Sequence, residues 1–144
     1  ALGAELWYQE HLMTLEADSP AWNLLFATPG SPLLELSREP YNLAEEGDSH
    51  LIHAFSGGLS VASCALTITC QNGRTSCCLH HVFVPEPLRN RGYGTLFLKT
   101  LLPQLKQQGI SCFLLQVSGS NLPAIALYKK TGFRITETLS YYLY

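Results

Sequence analysis

"VFVPEPLRNRGYGTLFLKTLL", residues 82–102, runs from a β-branched segment through a loop into a helical repeat. Pro85 and Pro87 close the strand, because proline brings no N–H to a ladder. Beyond the loop, Leu98, Leu101, Leu102 and Leu105 recur at helical spacing, which predicts an amphipathic helix over 92–108. Pro103 falls inside it and either kinks the helix or ends it early. Between strand and helix lie Arg89, Asn90, Arg91, Gly92, Tyr93 and Gly94. The first turn of a helix has unpaired N–H groups and the positive end of the helix dipole. Glycine lets an anion approach those amides and arginine adds charge, so the junction reads as a phosphate or diphosphate site. A glycine turn with solvated arginines is the plainer alternative. No Gly-Lys-Ser/Thr follows, so a Walker loop is excluded. Thr95, Leu96 and Phe97 stand where a dinucleotide fingerprint needs its third glycine.

Working outward, residues 51–55, Gly57-Gly58 and residues 59–70 predict two strands around a tight turn. Asn72-Gly73 is a second hairpin signal before the strand at 76–84. Downstream, residues 110–117 are apolar on both faces and predict a central strand. Asn121 and Pro123 open a second helix, and Thr131-Gly132 closes it. Residues 133–144 alternate loosely as one or two final strands. Upstream, residues 6–17 read as a first strand of ambiguous register. Asp18-Ser19-Pro20 starts a short helix with Ala21, Trp22, Leu24, Leu25 and Phe26. Residues 33–38 read as another helical piece and 39–50 as an acidic loop. The sum is α/β with a mixed sheet.

The totals agree with one globular domain over residues 1–144, with 1–5 expected to be disordered or foreign to the natural chain. Of 144 residues 47% are hydrophobic and 14% charged, enough for a sizeable core. The net charge of −2 disfavours nucleic acid as a partner. No apolar run reaches the ~20 residues that span a bilayer, and no secretory leader is read at the start, so a cytoplasmic location and no membrane partner are expected. The five cysteines, Cys64, Cys70, Cys77, Cys78 and Cys112, have no zinc spacing; buried reduced thiols and no metal are expected.

Val84, Pro85, Arg89, Arg91, Gly92, Tyr93, Gly94 and Thr95 resemble the diphosphate loop of the GNAT superfamily of acyl-CoA-dependent N-acyltransferases, whose signature is [Q/R]-x-x-G-x-[G/A] after a strand ending in valine. "NLPAIALYKKTGF", residues 121–133, is similar to a second segment of that family, in the same order and separated by the expected helix and strand. The resemblance covers residues 51–139 well and the front of the chain only in outline. It implies a mostly antiparallel sheet flanked by helices, with a splayed strand pair holding acetyl-CoA.

The resemblance implies roles as well. Backbone groups of Val82, Phe83 and Val84 would meet the pantetheine and the acyl carbonyl. Arg89, Asn90, Arg91, Gly92, Tyr93, Gly94 and Thr95 would hold the diphosphate. Asn121 would bond the pantetheine or cap its helix. Tyr128 would lie near the CoA sulfur and protonate the leaving thiolate, or simply pack on the helix face. The strand carboxylate that many members use as base is absent, since residues 76–82 read Ser-Cys-Cys-Leu-His-His-Val. His80, sharing a face with Cys78 and Val82 if the strand has no bulge, is the replacement; His81, Glu86 or a water chain are the alternatives. An acidic rim of Glu39, Glu45, Glu46 and Asp48 would face a cationic acceptor. The function implied is transfer of acetyl from acetyl-CoA to a primary amine of a small molecule or peptide, by direct attack in a ternary complex. A non-catalytic acetyl-CoA-binding module acting on a partner protein is the alternative. The apolar end "LSYYLY" suggests a homodimer.

Overall fold

The computed structural model describes residues 4–20, 22, 33–41 and 48–143. The strands are β1 (Glu5–Glu16), β2 (Glu35–Pro40), β3 (Asp48–Ser56), β4 (Leu59–Gln71), β5 (Arg74–Phe83), β6 (Cys112–Ser118) and β7 (Arg134–Leu143). The longer helices are α1 (Tyr93–Gln107) and α2 (Leu122–Lys130). All strands join one seven-stranded sheet in the order β2-β3-β4-β5-β6-β1-β7. Every neighbouring pair is antiparallel except β5 with β6. The mixed, mostly antiparallel sheet expected from the sequence is therefore present.

Local chemistry explains most of the elements. Gly57 and Gly58 turn β3 into β4 at φ +56° and +82°, values that need no Cβ. Asn72 and Gly73 turn β4 into β5 with φ +54° and +76°, the positive pair that an Asn-Gly hairpin supplies. Pro103 neither ends nor splits α1, which continues to Gln107. Asn121 caps α2, its side chain accepting from the Ala124 N–H at 3.3 Å.

Strand register fixes two faces. Cys77 lies opposite Phe113 and Leu79 opposite Leu115, and those two lie opposite Leu15 and Met13 of β1. All six are buried with Phe97, Leu98, Leu101, Leu102 and Leu105 of α1 in one core. The central helix therefore covers this face. Trp22, which is helical, stacks on Phe113 at 5.8 Å between ring centroids. Thr67, Cys78, Leu114 and Thr14 form one row of the opposite face. At the outer edge all of β7 is exposed.

Three sequence expectations are corrected. The piece at 33–38 is not helical: Leu34 is buried, Leu36 packs on the core and the polar residues between point out, a period of two that pairs β2 with β3. Asp48 is not in a loop but begins β3, and Glu39 lies in β2. Cys70 is exposed and Cys78 half-buried, although Cys64, Cys77 and Cys112 are buried; none of the five forms a disulfide. The expectations for Ala21, Leu24, Leu25, Phe26, Glu45 and Glu46 lie outside the described residues.

Burial pushes the Cys64 thiol up to about 12 and raises that of Cys77 as well. Thiolates are the reactive form, so Ellman's reagent at mildly alkaline pH should label Cys70 fast and Cys64 and Cys77 only upon unfolding. An acid whose folded value is raised stabilises the fold fully below its unfolded value and loses that contribution as pH rises through the folded one. The urea midpoint should thus hold up to the ordinary thiol value of 9.0 and fall as pH climbs toward 12. Cys64→Ala should flatten part of that fall.

Candidate active site

The parallel pairing of β5 and β6 covers Ser76–Cys112 through Leu79–Leu115 and stops there. Beyond it, β5 stays with β4, Phe83 lying opposite Ser63. β6 instead stays with β1, Ser118 lying opposite Glu10. The two strands part into a wedge. A bulge follows just beyond the last β5–β6 pair: between the pairs Ala65–His80 and Ser63–Phe83, β5 has one residue more than β4. His81 absorbs it at φ +52°, a left-handed value rare for a residue with a Cβ. The bulge corrects the assumption of an unbroken strand, because His80 and Val82 do not then share a face. Val82 packs against the core.

At the wedge mouth the chain leaves β5 through Val84 and Pro85 and turns at Glu86–Leu88. Arg89 folds back: its Nε donates to the Val84 carbonyl at 2.9 Å, and its guanidinium sits 5.6 Å from the centre of the Phe83 ring. Arg89, though exposed, thus ties the loop to the strand end. Arg91 is exposed, and so is Glu86. Asn90 and Gly92 both have positive φ, +64° and +83°.

Gly92 is the N-cap of α1 and places no side chain over its first turn. The first intrahelical bond there is Leu96 N–H to the Gly92 carbonyl, 3.0 Å. The amides of Tyr93, Gly94 and Thr95 precede it and have no acceptor within the helix. A Cβ on Gly92 would meet nothing within 4 Å, so it is the positive φ, not crowding, that calls for glycine here. Gly94 serves another purpose: a Cβ there would come 3.1 Å from Leu127, so this glycine lets α2 pack on α1. The prediction is that Gly92→Ala costs about 1–2 kcal/mol of stability from backbone strain alone. Gly92→Asn should cost less, because asparagine tolerates the left-handed region; urea unfolding measures both.

Tyr128 is buried on α2, edge-on to Phe133 at 5.9 Å. Desolvation, with the Cys64 thiol beside it, pushes its phenol up to about 12. Cys64 lies in β4 between Ser63 and Ala65, the residues opposite Phe83 and His80, so Tyr128 reaches the level of the bulge from the helix face. His80 precedes the bulge on the other face, half-buried, its Nε2 3.4 Å from Thr67 Oγ1. Thr67 in turn lies 3.1 Å from Ser49 Oγ. The structure thus puts Tyr128 and His80 at one level of the wedge, on opposite sides of the sheet. His81 is exposed. Asn121 is engaged as a helix cap.

The sequence reading missed Thr67 and Ser49. No sequence signal singles them out, since β3 also has Asp48, His50 and His53 and β4 also has Ser60, Ser63 and Thr69. An open cleft of about 670 Å³ lies elsewhere, at the other end of the sheet, lined among others by Glu16, Asp18, Arg74 and Lys106. Glu16 and Arg74 are paired there, and the cleft touches neither wedge nor loop. No cluster of metal-ligating side chains is found among the described residues. No helix among them is long and apolar enough to cross a membrane.

Comparison with known proteins points the same way. The profile of the Acetyltransferase (GNAT) family matches residues 12–133. A ribosomal protein bS18-alanine N-acetyltransferase of Escherichia coli is 28% identical over 90 residues, 62% of this chain and 59% of that one. A Salmonella typhimurium protein of the same name is 36% identical over 55 residues, 38% of this chain and 37% of that one. The chain thus spans less than two thirds of these relatives. A crystal structure from Novosphingobium aromaticivorans, described as a GNAT-family acetyltransferase, superposes with a TM-score of 0.62 at 16% identity, over 96% of this chain and 66% of that one.

Proposed function

Because the chain belongs to the GNAT family of acetyltransferases, we propose that it transfers an acetyl group from acetyl-CoA to a primary amine of a peptide or small molecule. One observation carries the reading: a parallel strand pair parts just above a helix N-terminus whose amides are uncapped. A diphosphate fits those amides, and an extended thiol arm fits the gap between strands that have stopped pairing. When bound, acetyl-CoA supplies an acetyl group already activated as a thioester.

The chain's own residues do the rest. The amides of Tyr93, Gly94 and Thr95 hold the diphosphate, while Arg89 keeps the loop at the end of β5. Val82, Phe83 and Val84 have no β6 partner, and their backbone groups are the ones available to the pantetheine and the acyl oxygen. Asn121 keeps its capping role, which sets the helix that carries Tyr128. On the far face, His80 takes one proton from the ammonium of the acceptor, freeing the lone pair that forms the C–N bond. As the C–S bond breaks, Tyr128 gives its proton to the sulfur, and the second amine proton restores the phenol. The net change is amine plus thioester to amide plus thiol.

Similarity to the two alanine N-acetyltransferases supports a peptide amine as acceptor. The test is thiol release from acetyl-CoA with alanine-starting peptides and a panel of small amines. Turnover with any of them is expected. Tight acetyl-CoA binding with no turnover across the panel would favour a regulatory binding module instead.

A further inference from the structure

We infer that Thr67 and Ser49 are positioning residues that fix the tautomer of His80; this rests on the reading of His80 as proton acceptor. The three side chains come from adjacent strands β3, β4 and β5 and form one chain: Ser49 Oγ to Thr67 Oγ1 at 3.1 Å, Thr67 Oγ1 to His80 Nε2 at 3.4 Å. Ser49 and Thr67 are 8% and 4% exposed, and a buried hydroxyl is costly unless it is bonded. Register explains why they meet. Ser49, Thr67 and Cys78 are direct cross-strand partners, so their side chains share a face. His80, two residues beyond Cys78, shares that face and lies diagonal to Thr67. It is also the last regular residue before the bulge and the first after β5 leaves β6.

A neutral imidazole accepts a proton at one nitrogen only, and the other must carry hydrogen. Nε2 faces Thr67. For His80 to act as base, Nε2–H must donate to Thr67 Oγ1, Thr67 must donate to Ser49 Oγ, and the basic lone pair must rest on Nδ1. Running in that direction, from ring to Thr67 to Ser49, the hydroxyl chain holds that tautomer and the ring plane. When Nδ1 takes the proton from the acceptor's ammonium, Nε2–H keeps its bond to Thr67, so no group has to turn.

Two measurements test this. In 15N-histidine spectra of the ligand-free protein in alkaline buffer, His80 should show hydrogen on Nε2 and a bare Nδ1. Thr67→Val should shift those signals toward a mixture of tautomers, and Thr67→Ser should restore them. Kinetically, Thr67→Val should lower kcat/KM about tenfold, the worth of one hydrogen bond, with the KM for acetyl-CoA unchanged. In a His80→Gln background the same change should cost nothing more. Hydrogen on Nδ1 in the wild-type protein overturns the inference, as does an equal loss from Thr67→Val with His80 already removed. If His80→Gln alone leaves the rate intact, the base reading fails, and the spectra still decide whether Thr67 sets the tautomer. Urea unfolding of each variant separates a folding defect from either result.

Discussion

Tyr128→Phe should lower kcat about 100-fold, the scale of a lost general acid, while the dissociation constant of acetyl-CoA stays as it was. The substitution deletes one oxygen and keeps the ring against Phe133, so the packing survives. A buried phenol raised to about 12 keeps its proton at every pH used for turnover. Wild-type kcat should therefore show no alkaline fall due to Tyr128 until pH nears 12. A group with so high a value matches the basicity of an alkyl thiolate poorly at rest, but the thiolate forms in the same desolvated gap, where its own value also rises. Steady-state thiol release together with calorimetry separates the two parameters. Unchanged kcat would mean that Tyr128 only fills space between α2 and the sheet.

Phe113→Ala should cost about 3–5 kcal/mol of stability, the usual price of truncating a fully buried aromatic. Phe113 is fully buried in β6, flanked by Cys77 and Leu15 on the neighbouring strands and stacked under Trp22. No neighbour collapses easily into the space left, because central strands are fixed on both edges. Phe113→Leu should cost markedly less, since most of the volume stays. Phe83→Ala is the control: that ring is 49% exposed, and its loss should be small in comparison. Urea midpoints rank the three, and a Phe113→Ala cost as small as that of Phe83→Ala would contradict the assigned core.

Features that rest on neighbouring residues were legible in the sequence. The hairpins at Gly57-Gly58 and Asn72-Gly73, the leucine stripe of α1, the apolar run of β6 and the Asn121 cap all lie where local chemistry put them. Leu33, Leu34 and Leu36 misled, because so short an apolar group fits a helical turn as well as a strand; pairing with β3 decided between them. The place of β1 between β6 and β7 was out of reach, since its partners lie more than 90 residues away. The bulge at His81 left no compositional trace, as no glycine or asparagine marks it. Within the site, the loop and Tyr128 could be named from the sequence. The hydroxyls that meet His80 could not, because three strands must be in register before Ser49, Thr67 and His80 come together.

The central claim is that uncapped amides at the start of α1 hold the diphosphate of acetyl-CoA and lay its thioester along the end of β5. A 1H–15N titration of the protein with acetyl-CoA tests it residue by residue. The amides of Gly92, Tyr93, Gly94 and Thr95 should move together with those of Val82, Phe83 and Val84, along one saturating curve. Shifts confined to the cleft around Arg74 and Lys106, or no shifts at all, would contradict it.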